Sequence, residues 1–290
     1  MGGAIQLSYW PPYDWAGLLT FLGRRALKGV EVVRDGTYMR TVQWNGRPAW
    51  IRIVHDPRAC ALRIESAPVD AHARSDLSQR LRALFDLDAR PEEISAALGK
   101  DILLADAITR NPGLRVPGAF DGFELAIRAI LGQQITVKAA ATIGGRFSEA
   151  FGEKIETPHA GLTHLTPTAE RVAGASIEEI ASLGIIRTRA RSIIAVASEC
   201  AFGRLHLEPG ADPAATIQQL LALPGIGPWT AQYIAMRALR MPDAFPKEDI
   251  ALRNRLGGMS AVRAEQRSVV WRPYRSYATL HLWGMPEPAR

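Results

Sequence analysis

The sequence has little of what would tie it to a metal, a membrane or an oxidising compartment. Only two cysteines stand among 290 residues, Cys60 and Cys200, far apart and outside any metal-ligand spacing. That excludes a disulfide framework and reads as two reduced, buried thiols. No apolar run is long enough to span a bilayer and no secretory signal is evident, so the chain is expected in the cytoplasm. Met1-Gly2 does not open a myristoylation motif, because Gln6 stands where Ser or Thr is required. Low-complexity tracts and simple repeats are missing as well.

What is present is length enough for two domains and a sizeable core. A hydrophobic content of 47% with 22% charged residues describes an ordinary soluble globular protein. The formal charge of +6 leans towards an anionic partner, as support only, since many basic proteins bind nothing acidic.

Residues 1–88 read as an α+β domain, an antiparallel sheet with helices. Asp14 is placed to cap a helix carrying Leu18, Leu19 and Leu22 on one face. Strand-like runs follow at 30–33, 38–44, 49–54 and 61–64, and Asn45-Gly46 between two of them is a hairpin signal. A helix from about Asp70 to Phe85 would cover one sheet face through Leu77, Leu81 and Leu84. The aromatics of Tyr9–Trp15 read as core packing, with a ligand groove as the alternative. Beyond Asp88 the strands stop, and consecutive helical segments with Gly- and Pro-bearing connections define an all-α domain over 89–290.

Within that domain the stretch 220–240 organises the rest. A helical pattern runs into Leu223-Pro224-Gly225-Ile226-Gly227, and a second one starts at Pro228, a residue suited to the first helical position. The glycines let the backbone turn tightly, and their amides beside a helix N-terminus would seat a phosphate. Taken alone, such a pentapeptide is also an ordinary helix-to-helix turn. Leu183-Gly184-Ile185, followed by Arg187 and Arg189, is another glycine turn into a basic helix. It is either a second phosphate contact or a patch of surface arginines.

Several motifs in one order are more specific than any single one. They are Pro11-Pro12-Tyr13-Asp14-Trp15, Arg115-Val116-Pro117-Gly118, Ala129-Ile130-Leu131-Gly132-Gln133-Gln134, the hairpin string 223–231, Phe245-Pro246-Lys247-Glu248-Asp249, Arg275-Ser276-Tyr277-Ala278 and His281-Leu282-Trp283. Along nearly its whole length the chain resembles the bacterial 3-methyladenine DNA glycosylase II family (AlkA type) of the helix–hairpin–helix superfamily. The resemblance implies an α+β N-terminal domain followed by an all-α helix–hairpin–helix DNA glycosylase domain. It also implies a monofunctional enzyme that flips alkylated bases such as 3-methyladenine and 7-methylguanine out of duplex DNA. Hydrolysis of the N-glycosidic bond would leave an abasic site for base excision repair. The four clustered cysteines of iron–sulfur members are absent.

By that resemblance Asp249 is the catalytic carboxylate, facing the sugar carbon where positive charge develops. Its plainest structural role is a helix N-cap, and the two roles can coexist. Glu248 should point elsewhere, and Arg253, four residues on, is placed to pair with Asp249 and keep it ionised. Trp229 stands where lyases of the superfamily carry a Schiff-base lysine. Trp229, Tyr233 and Trp283 resemble the aromatic base pocket, whose electron-rich faces attract a cationic base, the alternative being helix packing. Gln134 takes the place of the side chain that fills the vacated stack, where the best-known members have leucine. Gly284 is a further departure, standing where an aromatic can follow the tryptophan.

Gly225, Ile226, Gly227 and Thr230 are assigned to the phosphate-binding hairpin, whose backbone contacts carry no base sequence information. The main-chain carbonyls of Leu221, Leu223 and Ile226 are assigned to a structural monovalent cation, sodium or potassium. No cofactor is otherwise expected, the partner is duplex DNA, and the enzyme is expected to work as a monomer. Two other readings remain: a helix–hairpin–helix glycosylase for deaminated or oxidised bases, and a non-catalytic DNA-binding module.

Overall fold

The computed structural model describes residues 5–44, 46–67 and 74–286. The N-terminal part is built on a five-stranded antiparallel sheet. Its strands are β1 (Ile5–Ser8), β2 (Glu31–Arg34), β3 (Thr37–Trp44), β4 (Arg47–Asp56) and β5 (Ala61–Ala67), in the spatial order β1-β5-β4-β3-β2. Period-two alternation fixes the register: Ala49, Ile51 and Ile53 of β4 are buried on one face, while Trp50, Arg52 and Val54 between them are half-buried on the other. Trp44 lies opposite Arg47, the register of a two-residue hairpin at 45–46, and Gly46 has a φ of 72°. Asn45 itself lies outside the described residues. β1 is an addition to the sequence reading: four residues are too few to show a period, and pairing with β5 holds them in place, Leu7 opposite Leu62.

Two helices cover the inner face. α1 (Trp15–Gly23) starts at Asp14, whose carboxylate accepts the Gly17 amide at 2.8 Å. α2 (Arg74–Phe85) buries Leu77, Leu81 and Leu84 against the sheet, and the predicted residues 70–73 lie outside the described ones. Tyr9, Tyr13 and Trp15 belong to the same core cluster, Tyr9 and Tyr13 stacking at 4.3 Å, whereas Trp10 is exposed with Arg90 over its ring and departs from the core-packing expectation.

The remaining helices run one after another. They are α3 (Pro91–Leu98), α4 (Ile102–Arg110), α5 (Gly122–Leu131), α6 (Val137–Phe151), α7 (Ala169–Ala173), α8 (Ile177–Ala181) and α9 (Arg187–Ala201). α10 (Pro213–Leu221), α11 (Pro228–Arg237), α12 (Ile250–Arg255), α13 (Ala261–Ser268) and α14 (Arg275–Gly284) complete the series. Side-chain caps begin most of them: Asp101, Asp121, Thr136, Thr168, Ser176, Asp212, Asp249 and Ser260 each accept a first-turn amide, worth about 1 kcal/mol apiece. No helix among the described residues is long and apolar enough to cross a membrane. Cys60 and Cys200 are free and half-buried, less enclosed than expected, and burial pushes the Cys200 thiol up to about 12.

The helical part is not purely α. Lys154 bridges His164, and Leu162 makes a parallel bridge to Gly29 of the N-terminal part. The Gly29 carbonyl accepts the amides of Thr163 at 2.7 Å and His164 at 3.0 Å. Next to this seam, Gly144 and Gly145 of α6 allow the 24–30 loop to approach: a Cβ on Gly144 would stand 2.6 Å from Leu27 Cδ2. A buried ionic group closes the seam. Arg128 pairs with Glu124 at 2.5 Å and with Glu31, Arg40 pairs with Glu124 at 2.5 Å, and Tyr38 donates its hydroxyl to Glu31 at 2.6 Å. Arg128 also donates to the Arg25 carbonyl at 3.0 Å, and the Leu27 amide donates to Glu31 at 3.1 Å, so this group fixes the 24–31 loop.

Candidate active site

The predicted hairpin is the connection between α10 and α11. Gly225 has a φ of 74°, and a Cβ there would stand 2.2 Å from Ser192 Oγ of α9, so both conformation and packing require glycine. Gly227 caps α11, and Pro228 occupies its first position. Among the described residues nothing accepts the backbone amides of Gly225, Gly227, Trp229 or Thr230, which leaves a set of donors at the positive end of a helix. The side chains of Ile226 and Thr230 are buried. Thr230 Oγ1 accepts from Gln133 Nε2 at 3.0 Å, and with that side chain buried the residue presents its backbone amide to an anion.

Asp249 precedes α12 and caps it, Oδ1 accepting the Leu252 amide at 2.8 Å. The same carboxylate accepts two indole N–H groups, from Trp229 Nε1 to Oδ2 at 2.8 Å and from Trp283 Nε1 to Oδ1 at 3.2 Å. Trp229 stacks on Tyr233 with ring centroids 5.3 Å apart and 15° between planes, and Tyr233 lies 6.4 Å from Trp283. These four side chains share the wall of a cleft of about 370 Å³, a volume fit for a planar base. The structure therefore brings together residues from α11, α12 and α14 that are spread over more than fifty positions of sequence.

Arg253 does not pair with Asp249. Its Nε donates to the Met259 carbonyl at 2.7 Å, because the left-handed Gly257-Gly258 turn brings that carbonyl back over the end of α12. Two indoles stand where one guanidinium was expected. Glu248 does not line the cleft.

Sequence reasoning missed the cations of the cleft. Arg25, Arg128 and Arg237 line it beside the aromatics. Arg237 donates to the Tyr233 hydroxyl at 2.6 Å and to the carbonyls of Pro117 and Gly118 at 2.8 and 2.9 Å. Burial raises the Tyr233 phenol, but Arg237 and Arg25 outweigh it and hold its pKa below the ordinary value. Burial lowers the Arg25 pKa, and Arg237 adds to the shift against the pull of Tyr233. A signal for Arg237 existed, four residues after Tyr233 on one helix face. Arg25 had none, since it reaches the cleft from the N-terminal part.

Gln134 is exposed, with a φ of 56° that only a tight turn imposes on a non-glycine residue. Gln133, before it, is the other residue the sequence reading passed over. The second glycine turn divides its arginines: Arg187 pairs with Glu178 and Arg189 donates to the Gln133 carbonyl.

A two-part fold with a carboxylate behind a helix–hairpin–helix defines a class, and sequence comparison matches it. Residues 4–121 match the AlkA N-terminal domain, and residues 127–270 match the HhH-GPD superfamily of base excision DNA repair proteins. The chain is 34% identical to DNA-3-methyladenine glycosylase 2 of Escherichia coli, covering 96% of this chain and 95% of that one. It belongs to the AlkA-type DNA-3-methyladenine glycosylase 2 family. A Mycobacterium tuberculosis protein described as a probable bifunctional transcriptional activator/DNA repair enzyme AlkA is 39% identical over 97% of this chain, which spans 56% of that protein's length. In fold, the 3-methyladenine DNA-glycosylase from Archaeoglobus fulgidus superposes with a TM-score of 0.84 at 22% identity, each chain 97% covered.

Proposed function

We propose that the protein is a monofunctional DNA glycosylase that releases alkylated bases such as 3-methyladenine and 7-methylguanine from duplex DNA. The observation that carries this reading is Asp249, an acid held by the indole N–H groups of two cleft tryptophans. An extruded base between those rings would bring its sugar carbon to the carboxylate. As the base departs, positive charge grows on the sugar, and a fixed anion stabilises it electrostatically. Leucine amide and two indoles occupy three of about four acceptor directions on Asp249, leaving room to orient a water. A base methylated on a ring nitrogen is already cationic, so it leaves without prior protonation, and aromatic faces add about 0.5–2 kcal/mol of attraction.

No lysine lines the cleft among the described residues, which supports hydrolysis without strand cleavage. The free amides of the hairpin fit a DNA phosphate, holding the duplex through its backbone. No amide of the described residues donates to the carbonyls of Leu221 or Ile226, and Leu223 accepts only a 3.3 Å bond from Ile226. Their open lone pairs fit the proposed structural sodium or potassium ion, which would rigidify the turn. Gln134 is the side chain proposed to enter the gap the base leaves. The enzyme is read as a cytoplasmic monomer.

A second reading has one observation in its favour. Arg25 and Arg237 give the cleft donors that suit a base with an acceptor edge, as deaminated and oxidised bases have. Among alkylated bases they favour 7-methylguanine, whose ring carries a carbonyl. The deciding experiment measures bases released from methylated duplex DNA by the wild type and by Asp249→Asn. Asparagine retains the cap, so loss of release with binding kept assigns the carboxylate to chemistry. Binding by both proteins without release by either would leave a DNA-binding module.

A further inference from the structure

Two turns that meet come from distant parts of the chain, the 132–134 turn after α5 and the 222–227 turn before α11. One side chain joins them. Gln133 Nε2 donates to the Gly225 carbonyl at 3.0 Å and to Thr230 Oγ1 at 3.0 Å, so both of its amide hydrogens are spent on the hairpin. The main-chain carbonyl of Gln133 accepts from Arg189 of α9, the helix whose Ser192 packs against Gly225. Gln133 is half-buried, Thr230 is buried, and the next residue, Gln134, is exposed in a left-handed conformation.

We propose that Gln133 is a positioning residue that mounts the wedge Gln134 on the phosphate-binding hairpin, so that gripping the backbone and opening the stack are one mechanical act. The inference rests on the glycosylase reading of the cleft. A wedge must push into the duplex with something behind it. α5 ends at Leu131, and Gly132 and Gln133 turn away from it, their amides donating to the carbonyls of Arg128 and Ile130, while the Gln133 carboxamide is the side-chain tie from this turn to the hairpin. The carboxamide of Gln133 ties that turn to Gly225, whose neighbouring amides are the free donors for phosphate. Force applied at Gln134 is therefore returned to the DNA backbone two turns away instead of being absorbed by bending of the 132–134 loop. Gln133 does not line the cleft, so it acts on extrusion and not on the bond being broken.

Extrusion and chemistry separate experimentally when the target base is already unpaired. Single-turnover release would be measured from one oligonucleotide carrying a single 7-methylguanine, either paired with cytosine or facing an abasic analogue that removes most of the opening cost. Gln133→Met keeps the volume and loses the donors; Gln133→Ala loses both. The expected result is a drop of about 10- to 30-fold on the paired lesion for both variants, consistent with two lost hydrogen bonds, and less than about threefold on the unpaired one. The fluorescence rise of 2-aminopurine next to the lesion on binding should fall in parallel. An equal loss on both substrates, or full activity of Gln133→Met, would overturn the proposal by making Gln133 a packing residue. Should the wild type release no base from either substrate, the glycosylase reading itself fails, and the 2-aminopurine signal still decides whether Gln133 governs duplex opening.

Discussion

Arg25 shows what a single side chain from a distant part of the sequence adds to a site. It stands in the cleft without a carboxylate partner among the described residues, its guanidinium over the Phe21 ring at 3.6 Å. Arg25→Ala removes a donor for an acceptor edge and a positive charge that opposes a cationic base. The ratio of 7-methylguanine to 3-methyladenine released from methylated DNA should therefore fall by about three- to tenfold, as chromatography of the free bases reads it. Asp121 is a test of burial and sign. Burial raises its carboxyl from 3.8 to about 6 in the folded chain. The unfolded chain loses that proton near 4 and the folded one near 6, so stability declines as pH rises through this window and the full cost stands above it. Asp121→Asn keeps the cap on α5 without the charge. It should stabilise the protein by roughly 1–2 kcal/mol at pH 7.5 and by nothing near pH 3.5, in urea melts at the two values.

The elements were legible in the sequence where local chemistry alone decides them. The helices after Pro91 announce themselves because capping residues such as Asp101, Thr136, Ser176 and Ser260 mark their starts and glycines mark several of their ends. β1 was not legible, since Ile5–Ser8 becomes a strand only by pairing with β5. The Arg253–Asp249 pair failed for a related reason: helical spacing says which side chains are neighbours, and the carbonyl returned by the Gly257-Gly258 turn offers a nearer partner. Asp249, Trp229, Tyr233 and Trp283 were found through motifs, whereas Arg25 and Gln133 depend on how separate elements meet. At the hairpin, Gly225→Ala meets both a left-handed φ and Ser192 Oγ at 2.2 Å. It should cost about 2 kcal/mol or more of stability and weaken DNA binding at least tenfold by anisotropy. Ser192→Ala in the same chain should recover part of the stability and little of the affinity, because the φ remains.

Across the whole molecule, the ionic group of Glu31, Arg40, Glu124 and Arg128 joins the sheet to the helices and holds the loop that carries Arg25 and Leu27 into the cleft. The sheet is thus part of the cleft's construction. Burial alone would raise the Glu124 carboxyl, but Arg40 and Arg128 hold it down at about 2. Glu31→Gln leaves Arg128 with less compensation in a buried seam, and a loss of about 3–5 kcal/mol in urea unfolding is expected. Because Arg128 also carries the Arg25 carbonyl, the released-base ratio should move in the direction of Arg25→Ala. A change of stability with an unmoved ratio would confine this group to holding the two parts together.

The two indole N–H groups on Asp249 also bear on how such a site can diverge. A change at Trp229 or Trp283 that altered base preference would at the same stroke take one of its three donors from the carboxylate, so neither position is free to drift. The 24–31 loop carries no such obligation to Asp249. Lineages that acquire new lesion preferences are therefore expected to record them in that loop, in the part of the chain that looks least like an enzyme.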